Sequence, residues 1–188
     1  MLKQLLIGTV VFVIIVGILF MYIVDKAMQE TVTPLRTLNP ESSGSRVIII
    51  YSPGVSDYHQ KITDAFAAGL IASDWRVDIV TASSNTLTDF TGYELLVIGG
   101  PIHGGLPSKS LKDYMARVNN LDGLRIYTVL TSIGGKPQGE QYVSDWIISQ
   151  GGVEVGWLSL STMSQNTPVD GATDPGQIAF NTARKIPK

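Results

Sequence analysis

One stretch constrains the fold of this chain more than any other: residues 93–115, YELLVIGGPIHGGLPSKSLKDYM. Leu95, Leu96, Val97 and Ile98 form a short unbroken apolar run, the pattern of a strand buried on both faces. Gly99, Gly100 and Pro101 end it. Small residues then surround one histidine, His103, and Leu106, Pro107 and Ser108 lead into helical spacing at Leu111, Met115 and Val118. Ser108 stands where a helix cap belongs. The unit is therefore strand, glycine-rich loop, helix. In an α/β protein such a loop lies at the carboxyl end of its strand, where ligands bind.

The rest of the chain repeats this plan. Residues 46–51, RVIIIY, and 124–131, LRIYTVLT, are apolar on successive positions, as in strands covered on both sides. Residues 75–80, WRVDIV, and 153–160, VEVGWLSL, mostly alternate, as expected of edge strands with one wet face. Helical spacing begins at residue 57, with Ser56 or Asp57 as cap and Ile62, Phe66, Leu70 and Ile71 on one stripe. A helix over residues 141–149 is predicted to turn Tyr142, Trp146, Ile147 and Ile148 inward, and Asp174-Pro175 to open a last one. Three doubly buried strands inside two edges match the strand order 2-1-3-4-5. The expected fold is thus α/β, a five-stranded parallel sheet in that order with helices on both faces. The loops after the first and third strands meet at its switch point, and the loop after the fourth adjoins them.

Residues 5–24 form a single apolar run, long enough as a helix to cover a hydrocarbon core of about 30 Å. They read as an uncleaved membrane anchor (residues 1–24), one transmembrane helix placing the protein at the cell membrane. Lys3 on one side and Lys26 and Arg36 on the other, diluted by Asp25 and Glu30, barely distinguish the two orientations. The side of the folded part stays open, with a weak lean to the cytoplasm. Residues 25–45, with Pro34, Pro40 and ESSGS, read as a linker, and residues 46–188 as the folded domain.

A net charge of −2 gives no basic surface for nucleic acid. The absence of cysteine excludes disulfides, thiolate clusters and cysteine nucleophiles. The two histidines, His59 and His103, leave little for a metal site, and none is expected. His59, in the first turn of a helix, reads as a solvated side chain, with a phosphate donor as the alternative.

Three loops carry the candidate binding residues. In the first, Ser52, Pro53, Gly54, Val55 and Ser56 precede a helix and offer N–H and hydroxyl donors to an anion, although Pro53 has no N–H. The same residues also read as an ordinary strand–helix turn. Asp57 repels an anion unless it turns away as a cap, and Lys61 offsets it only in part. The second loop holds Pro101, Ile102, His103 and Gly104, where glycine allows close approach of a flat ligand. His103 can stack on a ring, donate to one, act as an acid or base near neutrality, or simply stand on the surface. The third, Thr131, Ser132, Gly134 and Gly135, adds backbone donors beside it. No nucleophile–base pair, carboxylate dyad or Walker loop is present, so any chemistry here requires a cofactor.

Residues 46–161 resemble the flavodoxin family, nearest in pattern to flavodoxin domains that include membrane-associated protoporphyrinogen oxidases. VIIIYS at 47–52 and LLVIGGPIHGGLPSKSLKDY at 95–114 carry the resemblance; the latter is similar to the family's G-S/A-P-I-Y-x-G-x-x-P segment followed by a helix. The resemblance implies FMN as cofactor, its phosphate on the first loop and its ring between the other two. Two departures stand out. Gly54, Val55, Ser56 and Asp57 replace the hydroxyl-rich end of the family's T/S-x-T-G-x-T loop, and His103 stands where an aromatic residue often stacks on the flavin. The implied function is a membrane-anchored FMN protein passing electrons or hydride to or from a membrane partner, a redox protein or a quinone-like substrate. A porphyrinogen- or quinone-type oxidoreductase is a variant of it. The alternative is an interaction module that keeps the fold without the flavin.

Overall fold

The computed structural model describes residues 2–134 and 139–188; within the first helix, side chains are described at residues 4, 7–22, 24 and 25. The elements in order are helix α1 (Leu2–Met28), strands β1 (Arg36–Thr37) and β2 (Arg46–Tyr51), helix α2 (Tyr58–Ala72), strands β3 (Arg76–Thr81), β4 (Leu95–His103) and β5 (Leu106–Pro107), helix α3 (Lys109–Met115), strand β6 (Arg125–Ser132), helix α4 (Gly139–Ser149), strand β7 (Val153–Ser161) and helix α5 (Pro175–Ala183).

The three continuous apolar runs become β2, β4 and β6, and they lie side by side in the sheet. The order is β1-β3-β2-β4-β6-β7, with β5 folded back on β4, so seven strands form where five are expected. The five long strands are parallel and hold the expected relative order; β1 and β5 pair antiparallel. Parallel register keeps alternate residues in phase across the sheet, with Ile48 opposite Leu96 and Leu96 opposite Ile126. Val47, Ile49, Val97 and Val129 therefore point to one face, under Phe66 and Leu70 of α2 and Ile178 of α5. Ile48, Ile98 and Ile126 point to the other, under Leu111 and Tyr114 of α3 and Val143 and Ile147 of α4. Burying each such side chain contributes roughly 1.5–3 kcal/mol.

Helix α5 starts as its sequence predicts. Asp174 caps it, its carboxylate accepting from the Gln177 N–H at 2.9 Å, with Pro175 in the first turn. Asp174→Ala is expected to lower unfolding free energy by about 1 kcal/mol, read from the urea midpoint. Ser108 and Asp57 precede their helices but make no side-chain cap bond. Helix α4 is rotated relative to its expected phase: Val143 and Ile147 are buried, while Tyr142 and Ile148 are exposed. Trp146 is half-buried and its indole N–H donates to the Met115 carbonyl at 3.0 Å.

Two corrections concern the N-terminal part and the sheet edge. Among the described residues, no helix is long and apolar enough to cross a membrane. The expected transmembrane helix and the cell-membrane location that rested on it are corrected accordingly.

The second correction is β3, expected at a wet edge. Residues 31–39, within the stretch expected to be a linker, run along it. Arg36 pairs with Ile79 and Thr37 with Asp78. Thr33 and Thr81 exchange N–H···Oγ1 bonds at 3.0 and 3.1 Å. Asn39 accepts from the Val77 N–H at 2.9 Å and donates to the Trp75 carbonyl at 2.6 Å. This strap buries Asp78, whose carboxylate accepts from Arg46 at 3.0 Å, from the Tyr93 hydroxyl at 2.8 Å and from Thr37. Burial raises the Asp78 pKa, but those three donors outweigh it and hold the carboxyl below its usual range. The same burial, aided by Asp78, pushes Tyr93 up to about 12.

Candidate functional site at the carboxyl ends of the strands

The three candidate loops converge. The first follows β2, the second ends β4 and the third ends β6, all at the carboxyl end of parallel strands. Together they line a cavity of about 190 Å³. Pro53, Gly54, Val55 and Ser56 form one wall; Pro101, Ile102 and His103 form another; Thr131 and Ser132 complete it. Ser52 does not face this space. It is buried, its N–H donates to the Gly99 carbonyl at 2.9 Å, and its hydroxyl pairs with that of Ser110 at 2.9 Å. Ser52 thus fastens the first loop to β4 and α3. Gly104 and Gly134 also lie off the cavity, and Gly135 lies outside the described residues.

The second loop is a tight hairpin rather than an open turn. Ile102 pairs with Pro107 and His103 with Leu106, leaving Gly104 and Gly105 as the two connecting residues at φ of 58° and 85°. A two-residue hairpin of this hand needs positive φ at both positions, which glycine adopts without strain. His103 is thereby held at the cavity mouth, and partial burial lowers its pKa.

In the first loop, the Asp57 carboxylate pairs with Lys61 at 2.7 Å, both side chains well exposed, so its charge is offset in part. The backbone N–H groups of residues 54–56 and 58–60 find no partner among the described residues, while that of Asp57 lies against its own carboxylate. That row of donors, at the start of α2, is suited to an anion.

Sequence reasoning missed the floor of the site. His59, expected in solvent, is 2% exposed. Its Nδ1 lies 3.1 Å from the Thr131 hydroxyl, tying α2 to the third loop, and its Nε2 has no hydrogen-bond partner. Burial pushes its pKa down to about 3, so the ring is neutral near pH 7. Tyr58 joins the lining, its hydroxyl donating to the Ser161 carbonyl at 3.2 Å, together with Ile133 and Thr162. Their only sequence signal is position: the first helical turn after one loop, and the neighbours of another. A wider cavity of about 730 Å³ lies at the opposite, amino end of the sheet, between residues 88–94 and 119–125; it is open and shares none of the candidate residues.

Parallel strands in the order 2-1-3-4-5, with a crevice at their switch point, define a flavodoxin-like fold. Solved structures bear this out. The chain is similar to two-electron reduced Megasphaera elsdenii flavodoxin (TM-score 0.59, 16% identity, 73% of this chain and 98% of that one). It is similar to oxidised Flavodoxin 2 from Bacillus cereus (TM-score 0.58, 16% identity, 74% and 95%). It is also similar to an NAD(P)H:quinone oxidoreductase from Methanothermobacter marburgensis (TM-score 0.55, 13% identity, 76% and 97%). No family model and no curated protein matches the sequence.

Proposed function

We propose that this chain is an FMN-binding protein of flavodoxin type that passes electrons to or from a redox protein or a quinone-like substrate. The observation that carries the reading is the convergence of three loops, far apart in sequence, on one cavity with free N–H donors along one wall and apolar side chains along the other. Structural neighbours named as flavodoxins in reduced and oxidised form, and as a quinone oxidoreductase, support it.

The residues present fit the group. The unpaired N–H groups of residues 54–56 and 58–60 match a phosphate, and the unpartnered Nε2 of His59 is a buried polar atom in the cavity wall. Gly54, at φ 78°, brings the first loop so close to the second that a Cβ there would lie 2.8 Å from Pro101 Cγ. FMN, when bound, supplies one- and two-electron chemistry. The chain's own residues do the rest. Pro53, Pro101, Ile102 and Ile133 would shield a bound ring from water, and His103, also in the lining, would be available to contact it. Thr131, held by His59, fixes the third loop. Neutral His59 adds no charge to the cavity lining.

The absorption spectrum of the purified protein tests the reading. A flavin spectrum, with FMN released on unfolding, is expected. Protein that is colourless and stays so after incubation with FMN overturns it and leaves the interaction-module alternative.

A further inference from the structure

We propose that Arg36, carried by the strap that precedes the sheet, anchors the phosphate end of the ligand and gives the site its preference for a phosphorylated over an unphosphorylated flavin. The inference rests on the FMN reading above and adds a residue from outside the segment that resembles flavodoxins.

The strap does more than cover β3. Between it, the end of β2 and the first turn of α2 lies a second cavity of about 190 Å³, lined by Arg36, Thr33, Tyr51, Pro53 and Gln60. Pro53 lines both this cavity and the one enclosed by the three loops, so the two are neighbours across the first loop. Pro53 and Gln60, at either end of the row of N–H groups, both line the cavity with Arg36, so a phosphate held by that row would be open to its guanidinium.

The first loop needs such a partner. Pro53 contributes no N–H. The Ser52 hydroxyl is occupied by Ser110, and Lys61, the lysine of α2, is taken by Asp57. Arg36, by contrast, makes no side-chain hydrogen bond or ion pair among the described residues. The competing charge is Asp64, four residues beyond Gln60 on α2. Burial pushes its carboxyl up and Arg36 draws it partly back, but the two do not meet as an ion pair. A guanidinium in this state is free to place its planar fork on two oxygens of a phosphate dianion.

Titration of the full chain with riboflavin and, separately, with FMN, followed by quenching of flavin fluorescence, tests the proposal. Arg36→Gln is expected to weaken FMN binding roughly tenfold, the effect of losing one charge-assisted contact, and to leave riboflavin binding unchanged. Arg36→Glu should weaken FMN further, and Arg36→Lys should retain part of the preference. Added salt should weaken FMN binding more in the unaltered chain than in Arg36→Gln. If riboflavin binds and the FMN-to-riboflavin ratio is the same in all four proteins, the role of Arg36 is refuted while the flavin reading stands. If the unaltered chain binds neither flavin, both fall.

Discussion

Lowering the pH from 7 to 3 is expected to remove about 4 kcal/mol of stability through His59 alone. The sign follows from where the proton goes. In the unfolded chain the imidazole takes up a proton near pH 6.5; in the folded protein burial holds its pKa at about 3. Between those values the unfolded state binds more protons, so stability falls with each unit of acidification by up to about 1.4 kcal/mol. Below about pH 3 both states are protonated and the slope vanishes. The ring has no compensating neighbour: Nδ1 meets only the Thr131 hydroxyl, Nε2 meets nothing, and the Tyr51 ring stands 6.2 Å away. Asp78 adds a loss of the same sign at lower pH, because its carboxyl is held below the usual range and its contribution disappears as pH falls through the folded value. Comparison with His59→Asn isolates the histidine. Urea midpoints measured between pH 7 and 4 should decline steeply in the unaltered protein and much less in the variant. Parallel curves would mean that His59 is not buried neutral.

The second large effect is expected at Gly99. Gly99→Val should cost about 3 kcal/mol or more, the upper end of what overpacking imposes on a close-packed interior. A Cβ at this position would lie 2.3 Å from the Val129 carbonyl oxygen and 3.3 Å from His59 Nε2. The carbonyl belongs to the backbone of β6, paired in register with β4, so it has no rotamer through which to move away. Relief requires separating the two central strands or expelling the imidazole. Either displaces the first loop as well, since the Ser52 N–H is bonded to the Gly99 carbonyl. Gly134→Ala is the control: its Cβ would come no nearer than 3.5 Å to Ser164 Oγ, and the change should stay within about 0.5 kcal/mol. Denaturant midpoints of the two variants at pH 7 test the contrast. Equal midpoints would show that β4 and β6 are not packed this closely.

Both predictions turn on residues that the sequence shows but whose meaning it hides. LLVI, RVIIIY and LRIYTVLT announce three interior strands, because a run apolar on successive positions has no face to give to water. From these and the glycine-bearing turns after them, the strand order and the meeting of three loops followed. WRVDIV misled. An alternating pattern records that every second residue is polar, and a carboxylate facing solvent has the same letter as one facing Arg46 and Tyr93. His59 misled similarly: the first turn of a helix is often wet, and here that turn is pressed onto Thr131 by the packing of α2 against the sheet. Helix α4 slipped by part of a turn, since Tyr142, Val143, Trp146 and Ile147 are all apolar enough for either face and only contact with the sheet chooses Val143 and Ile147.

Local order along the chain was enough to establish a parallel α/β sheet, its interior strands and the segments that bear the candidate loops, because periods of two and 3.6 residues report directly which faces are apolar. Tertiary contact alone decided that residues 31–39 close the sheet edge, that Asp78 and His59 are buried, and that Arg36 stands beside the first loop. Whether a polar group meets water or a partner depends on segments distant in sequence, and no pattern within one segment carries that information.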